Sequence, residues 1–225
     1  VDGGLHHGGD IPQLLALQFF AQCEFFGGHL GGHGLGHVLA FGGDLEAVGK
    51  RIVLDGKVYS GFNYAGAELG HIVIVCGGRQ CSCGRKGCWE AYSSATALVK
   101  MTEEKIAECA AAGRKTLMAD MVAERGKVSG RTSFDAMRAG DEAAKEVVDS
   151  YIKYLACGLI NIINIFQPEV LSIGGGISNE GDFLIELLHD KVFAETYSRD
   201  GTPQCELKIA TLKNDAGIIG AAALE

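Results

Sequence analysis

The feature that most constrains this chain is a compact set of metal-ligand side chains. His71 is followed ten residues later by Cys81-Ser82-Cys83-Gly84-Arg85-Lys86-Gly87-Cys88, a C-x-C-x4-C run. Three thiolates and one imidazole are the Cys3His donor set of a closed, tetrahedral, structural zinc site. Gly84 and Gly87 suit it, because glycine lets the backbone turn tightly enough to fold three sulfurs onto one ion. Two carboxylates bracket the run, Glu68 three residues before the histidine and Glu90 two residues after the last cysteine.

Eight cysteines is an even number, so disulfides are the competing reading. However, Cys23, Cys76, Cys109, Cys157 and Cys205 lie scattered outside the run. Five scattered cysteines make no framework, and no signal peptide points to an oxidising compartment. Zinc is favoured, with disulfides or plain free thiols as the alternatives. Cys76 ends the apolar run Ile72-Val73-Ile74-Val75, which reads as a buried strand. It is therefore expected to be a small buried hydrophobe rather than a ligand.

The rest of the chain bounds the class. At 225 residues it has room for one large domain or two small ones. Hydrophobic content of 47% with 21% charged residues is that of a soluble globular protein. No apolar run reaches the length of a membrane span. A net charge of −8 without a basic cluster argues against a nucleic-acid surface. The expected location is the reducing cytoplasm.

Ile52 to Tyr59 reads as two short strands joined at Asp55-Gly56, a hairpin signal. A helix is expected from Glu90 to Lys100 with Ala95, Leu98 and Val99 inward. Short helices follow over 103–140, broken at Gly113, Gly126 and Gly130, with Thr132 or Ser133 as an N-cap. Asp141 to Phe166 is the best helix: Ala144, Val147, Val148, Tyr151, Leu155, Leu159, Ile162, Ile163 and Phe166 recur at threes and fours. Pro168 ends it, and Glu169 to Ile173 reads as a strand. Asn161 and Asn164 are expected to satisfy backbone groups at the helix end. Gly174-Gly175-Gly176 then stands at a strand-to-helix junction, where glycines let a nucleotide approach backbone N–H groups. A tight turn explains them equally well. Alternating strands and helices give an α/β fold.

The two segments Glu68-Leu69-Gly70-His71 and Cys81 to Glu90 together resemble the double signature of the ROK family of sugar kinases and sugar-responsive repressors. By that resemblance Glu68, His71 and Glu90 contact sugar hydroxyls, while His71, Cys81, Cys83 and Cys88 hold a structural zinc. Gly174, Gly175 and Gly176 lie on the adenosine side of the ATP cleft, and Asn214 to Ala222 forms a closing helix. The implied fold is the C-terminal lobe of an actin-like ATPase (ribonuclease H-like) architecture with a zinc-stabilised loop. The implied activity is glucokinase-like, ATP-dependent phosphorylation of a hexose with Mg2+, in a homodimer without nucleic-acid or membrane partners. A repressor of the same family and a non-catalytic sugar-binding or dimerisation module are the alternatives.

The double role of the histidine has a physical basis. A metal-bound imidazole uses one ring nitrogen on the ion and leaves the other for an outer acceptor, which a sugar hydroxyl can be. Carboxylates suit sugars because each accepts charge-assisted hydrogen bonds from adjacent hydroxyls. With four protein ligands the zinc has no open position for catalysis.

The first fifty residues depart from this pattern. Residues 1–49 hold no Lys, Arg, Ser, Thr or Asn, yet carry thirteen of the 33 glycines and five of the seven histidines. His29, His33 and His37 repeat every fourth residue, but the glycines around them oppose a helix, so a flexible Gly/His tract is expected. Only Pro12 to Phe26 has the apolar density of a helix. A complete family member has a Gly-rich phosphate loop, an Asn-Asp pair supplying the catalytic base, and a second glycine turn before the hairpin. Here Asp10 and Asp44 lack a preceding Asn, and Ala47-Val48-Gly49-Lys50-Arg51 stands where the second turn is expected. The expectation is a segment over 1–51 foreign to the fold, frame-shifted or mis-joined, ahead of a kinase lobe over 52–225. No catalytic residue is assigned, and the chain as written is expected to be inactive.

Overall fold

The computed structural model describes residues 38–41, 51–54, 57–59, 61–63, 65–199 and 202–211. In them a mixed sheet begins with β1 (Val38–Phe41), β2 (Arg51–Leu54) and β3 (Lys57–Val58), each antiparallel to the next. Val53 faces Val58 across the hairpin, as the Asp55-Gly56 signal predicts. β4 (Val170–Ile173) lies parallel to β1 on its other side, and β5 (Glu206–Ile209) lies parallel to β4. The order β3-β2-β1-β4-β5 meets the α/β expectation, because parallel neighbours require long crossovers.

The connection from β3 to β4 carries about half of the chain. After the cysteine run come α1 (Glu90–Ser93), α2 (Ala95–Ala111), α3 (Leu117–Arg125), α4 (Thr132–Arg138) and α5 (Glu142–Phe166). From β4 to β5 the chain passes through a 3-10 turn (Gly176–Glu180) and α6 (Asp182–Phe193).

α5 forms where its apolar spacing placed it. Val148, Tyr151, Ile152, Leu159 and Ile162 are almost fully buried, and they join Leu171, Ile173 and Leu207 of the sheet in one core. Each such side chain contributes about 1.5–3 kcal/mol by leaving water. Asp141 caps its start, with Oδ1 accepting from the Ala144 N–H at 3.1 Å. Oδ2 of the same carboxylate accepts from the Thr116 hydroxyl and the Leu117 N–H, both at 2.5 Å, at the start of α3. One side chain thus caps two helices. Burial pushes the Asp141 carboxyl up, but the hydrogen bonds from Thr116, Ala144, Leu117 and Ala143 outweigh it and hold the group below its ordinary value.

Several expectations need correction. No strand was expected before Ile52, yet β1 runs through the middle of the sheet; four residues are too few to show a period. The helix expected over Glu90–Lys100 breaks at Ser94, whose hydroxyl accepts from the Ala97 N–H at 3.1 Å and opens α2. Ser94 follows the start of α1 by only four residues, too few for pattern alone to separate two helices. Ala97 and Leu98 are buried there, with Ala95 and Val99 only partly so. The cap of α4 is Arg131, without a side-chain bond. Thr132 instead accepts from the Ser129 N–H. Asn164 does not serve the end of α5; its Oδ1 accepts from the Tyr197 N–H beyond α6 at 2.8 Å. Pro12–Phe26, the histidine tract, Asp10, Asp44 and Asn214–Ala222 lie outside the described residues.

Candidate functional site

The run from Glu68 to Glu90 folds into a small knuckle with almost no regular structure. Glu68 (φ −74°, ψ 57°) is the centre of an inverse γ-turn, closed by the Leu69 N–H donating to the Ala67 carbonyl at 2.8 Å. A 3-10 turn over Leu69–His71 follows, and the His71 N–H donates to the Glu68 carbonyl at 3.0 Å. Ahead of it Ala67 is held at φ 67°, a left-handed conformation that costs a non-glycine residue about 1–2 kcal/mol. The carboxylate of Glu68 is exposed.

Ile72 to Cys76 is not the buried strand the sequence suggests. Only an isolated bridge pairs Val73 with Cys88; Val73 and Cys76 are both exposed. The returning segment takes the backbone bonds a neighbouring strand would have taken. Ile74 N–H donates to the Gly87 carbonyl at 2.9 Å, and Trp89 N–H to the Ile72 carbonyl at 2.8 Å. Five apolar residues in a row therefore did not mean burial on two faces. Gly87 is required here twice over: its φ is 84°, and a Cβ would fall 1.7 Å from the Val75 carbonyl oxygen.

This backbone brings His71, Cys81, Cys83 and Cys88 together, with one ligand atom from each lying within 4.8 Å of all the others. His71 Nδ1 lies 3.6 Å from the Cys81 sulfur, and the Cys83 and Cys88 sulfurs are 3.6 Å apart. A tetrahedral ion with sulfur at about 2.3 Å and imidazole nitrogen at about 2.0–2.1 Å sets its ligand atoms about 3.6–3.8 Å apart. The two 3.6 Å pairs match that spacing, and the remaining pairs, all within 4.8 Å, lie close enough to close on such an ion. Cys81 and Cys88 are buried, and Cys83 is exposed. The Arg85 backbone N–H, against the opposing effect of desolvation, holds the Cys83 thiol below its ordinary value; burial pushes Cys88 up to about 11. All seven described cysteines are free thiols, and Cys76, expected to be buried, is not part of the cluster.

Glu90 begins α1 beside this cluster, and the Ser82 hydroxyl donates to its Oε1 at 3.4 Å. Trp89, one residue earlier, anchors the knuckle to the core. Its indole N–H donates to the Tyr154 carbonyl of α5 at 2.9 Å, and its ring lies against Gly158. A Cβ on Gly158 would stand 1.9 Å from the indole. Sequence reading missed this contact; a glycine in the middle of a strongly apolar helix was the available signal. The Tyr151 hydroxyl donates to the Ser93 carbonyl at 2.8 Å, closing the end of α1.

The three glycines leave β4 as expected. Gly174 and Gly175 are buried, and Gly175 (φ 76°, ψ −170°) occupies a region open essentially to glycine alone. The Ser178 hydroxyl donates to the Gly175 carbonyl at 2.6 Å and the Asn179 amide to the Gly176 carbonyl at 3.0 Å, fixing the turn. At its end Glu180, almost buried, pairs with Arg138 of α4, whose guanidinium lies 5.4 Å from the Phe183 ring centre. Burial pushes the Glu180 carboxyl up against the pull of Arg138. No local pattern could link residues so far apart in sequence.

Among the described residues, a five-stranded mixed sheet, a glycine turn after β4 and a Cys3His cluster define an α/β chain with a candidate metal centre. Residues 46–225 match the ROK family, and the chain belongs to it. It is 36% identical over 176 residues to a glucokinase of Halalkalibacterium halodurans, covering 77% of this chain and 51% of that one. It is 27% identical over 175 residues to a xylose repressor of Bacillus spizizenii, covering 77% and 40%. Among solved structures it resembles a ROK family glucokinase from Streptomyces griseus in complex with glucose and AMPPNP. That likeness has a TM-score of 0.73 at 26% identity and covers 93% of this chain and 66% of the other. The chain spans about half the length of the curated relatives it matches, 51% of the glucokinase and 40% of the repressor.

Proposed function

We propose that this chain carries the sugar-binding and adenosine-side portion of an ATP-dependent hexose kinase of the glucokinase type. In this reading Glu68, His71 and Glu90 hold sugar hydroxyls. Zinc on His71, Cys81, Cys83 and Cys88 fixes the knuckle, and Gly174, Gly175 and Gly176 border the adenosine of a Mg2+-bound ATP. One observation carries it: Nδ1 of His71 lies 3.6 Å from the Cys81 sulfur, which leaves Nε2 for an outer partner such as a sugar hydroxyl. The zinc would supply no reacting group; it would orient the imidazole and fix the loop that leads into Glu90. The higher identity to the glucokinase than to the xylose repressor supports a kinase over a regulator.

The test is a calorimetric titration of the zinc-loaded chain with glucose and, separately, xylose. Glucose heat that disappears in Glu68→Gln and Glu90→Gln, with thermal stability unchanged, is the expected result. Xylose binding in preference to glucose would favour a regulator. Zinc-loaded protein that binds neither sugar would sink the assignment. An assay of ADP release is expected to stay silent, since no Asn-Asp pair precedes Ile52; a positioned base contributes about 10²–10⁴-fold.

A further inference from the structure

The four ligands of the knuckle are not equally sheltered. Cys81 is 5% exposed and Cys88 0%, whereas Cys83 is exposed on a hairpin whose residues Ser82 to Lys86 all face solvent. Cys88 is pinned by its bridge to Val73 and by the Trp89 behind it, and its sulfur lies only 3.6 Å from that of Cys83. A disulfide needs that gap to close to about 2.05 Å, and the exposed hairpin that carries Cys83 is the side with room to move. Pairing Cys83 with Cys81 instead would close a much smaller ring across a single intervening residue.

We propose that Cys83 is an oxidation site and that its closure onto Cys88 releases the metal, making the knuckle a peroxide-responsive switch. The inference rests on the reading of this cluster as a zinc site. The exposure of Cys83 admits a small oxidant to its sulfur, and the Cys88 sulfur 3.6 Å away is placed to react with the product. The Cys83 sulfur attacks one oxygen of hydrogen peroxide; the O–O bond breaks, a sulfenic acid forms, and hydroxide leaves. The Cys88 thiolate then attacks the Cys83 sulfur, the S–O bond breaks, and a second hydroxide leaves. With two protons from solvent, two thiolates have lost two electrons and one peroxide has become two waters. An ion bound there would be left with His71 and Cys81 alone, half of its donors, and would be released. Because Glu90 follows Cys88 by two residues, the same event frees a carboxylate that the proposed function assigns to sugar.

The zinc-loaded full chain is treated with one equivalent of hydrogen peroxide, zinc release is followed with a chromogenic chelator, and disulfides are identified by non-reducing peptide mass spectrometry. The expected result is loss of one equivalent of zinc per chain, matched by a Cys83–Cys88 linked peptide and reversed by dithiothreitol with added zinc. Cys76→Ser, which removes the other exposed thiol near the knuckle, should behave as the parent does. Zinc retained under peroxide, zinc lost without the Cys83–Cys88 link, or a response abolished by Cys76→Ser would each overturn this inference while leaving the zinc site standing. Protein purified without zinc that also refuses to take it up would overturn the metal reading, and this inference with it.

Discussion

Between His71 and Trp89 the chain is held by backbone hydrogen bonds, by glycine conformations and by four side chains suited to one ion. Between Glu142 and Phe166 it is held by a row of buried apolar side chains and a capping carboxylate. The knuckle exposes Val73 and Cys76 where the helix leaves thirteen of its residues buried. The difference teaches that the site-bearing segment borrows rigidity from the helix it leans on through Trp89, and would borrow more from an ion held by its four ligands. A segment with so little buried surface opens locally at low cost unless something else closes it.

The largest effect should come from removing the metal. A zinc chelator is expected to abolish amide-exchange protection over 72–90 and to leave protection over 142–166 near its starting level. The scale is large, since zinc-finger peptides hold their ion with about 10–16 kcal/mol. Concerted loss of protection in both regions would show that knuckle and helix form one cooperative unit, and the contrast would fail.

Gly158→Ala tests the place where the two regions touch. In an ordinary helix the change stabilises by about 1 kcal/mol. Here the new methyl group would meet the Trp89 indole 1.9 Å away, so a net destabilisation of about 1–3 kcal/mol is expected from overpacking. Urea denaturation measures it, with Trp89, the sole tryptophan, as the fluorescent probe. A stabilised variant would mean that the indole moves aside freely.

Asp141→Asn tests the helical layer alone. One amide oxygen cannot serve both the Ala144 N–H and the Thr116–Leu117 pair, so a loss of about 1–2 kcal/mol at neutral pH is expected. The Asp141 carboxyl is depressed in the fold. Its contribution is therefore full above the ordinary carboxylate value and is lost as pH falls through the lower, folded value. The gap between parent and variant should narrow only in acid. A constant gap from neutral pH to below the carboxylate range would refute the charge-based account.

The smallest expected effect is a gain. Ala67→Gly relieves a left-handed alanine beside Glu68; set against the entropy glycine adds to the unfolded chain, about 0.5–1 kcal/mol, the net should be under about 1 kcal/mol. A slightly raised melting temperature with weakened glucose binding would show that the strain positions Glu68. A lowered melting temperature would show that the strain is relieved elsewhere.

The sequence by itself determined the donor set, the hairpin and the long helix. Each is written in residues close in the chain, as ligand spacing, as Asp55-Gly56 between two apolar runs, and as a period of threes and fours ahead of Pro168. The glycine turn was legible for the same reason, since Gly175 occupies a conformation other residues avoid. Tertiary structure alone decided that Ile72 to Cys76 is a half-buried loop rather than a buried strand, because its backbone partner is the segment returning at Gly87 to Trp89. It alone placed β1 in the middle of the sheet, seated Trp89 on Gly158 and joined Arg138 to Glu180. These are contacts between distant positions, whose energy depends on three-dimensional neighbours that no local window contains.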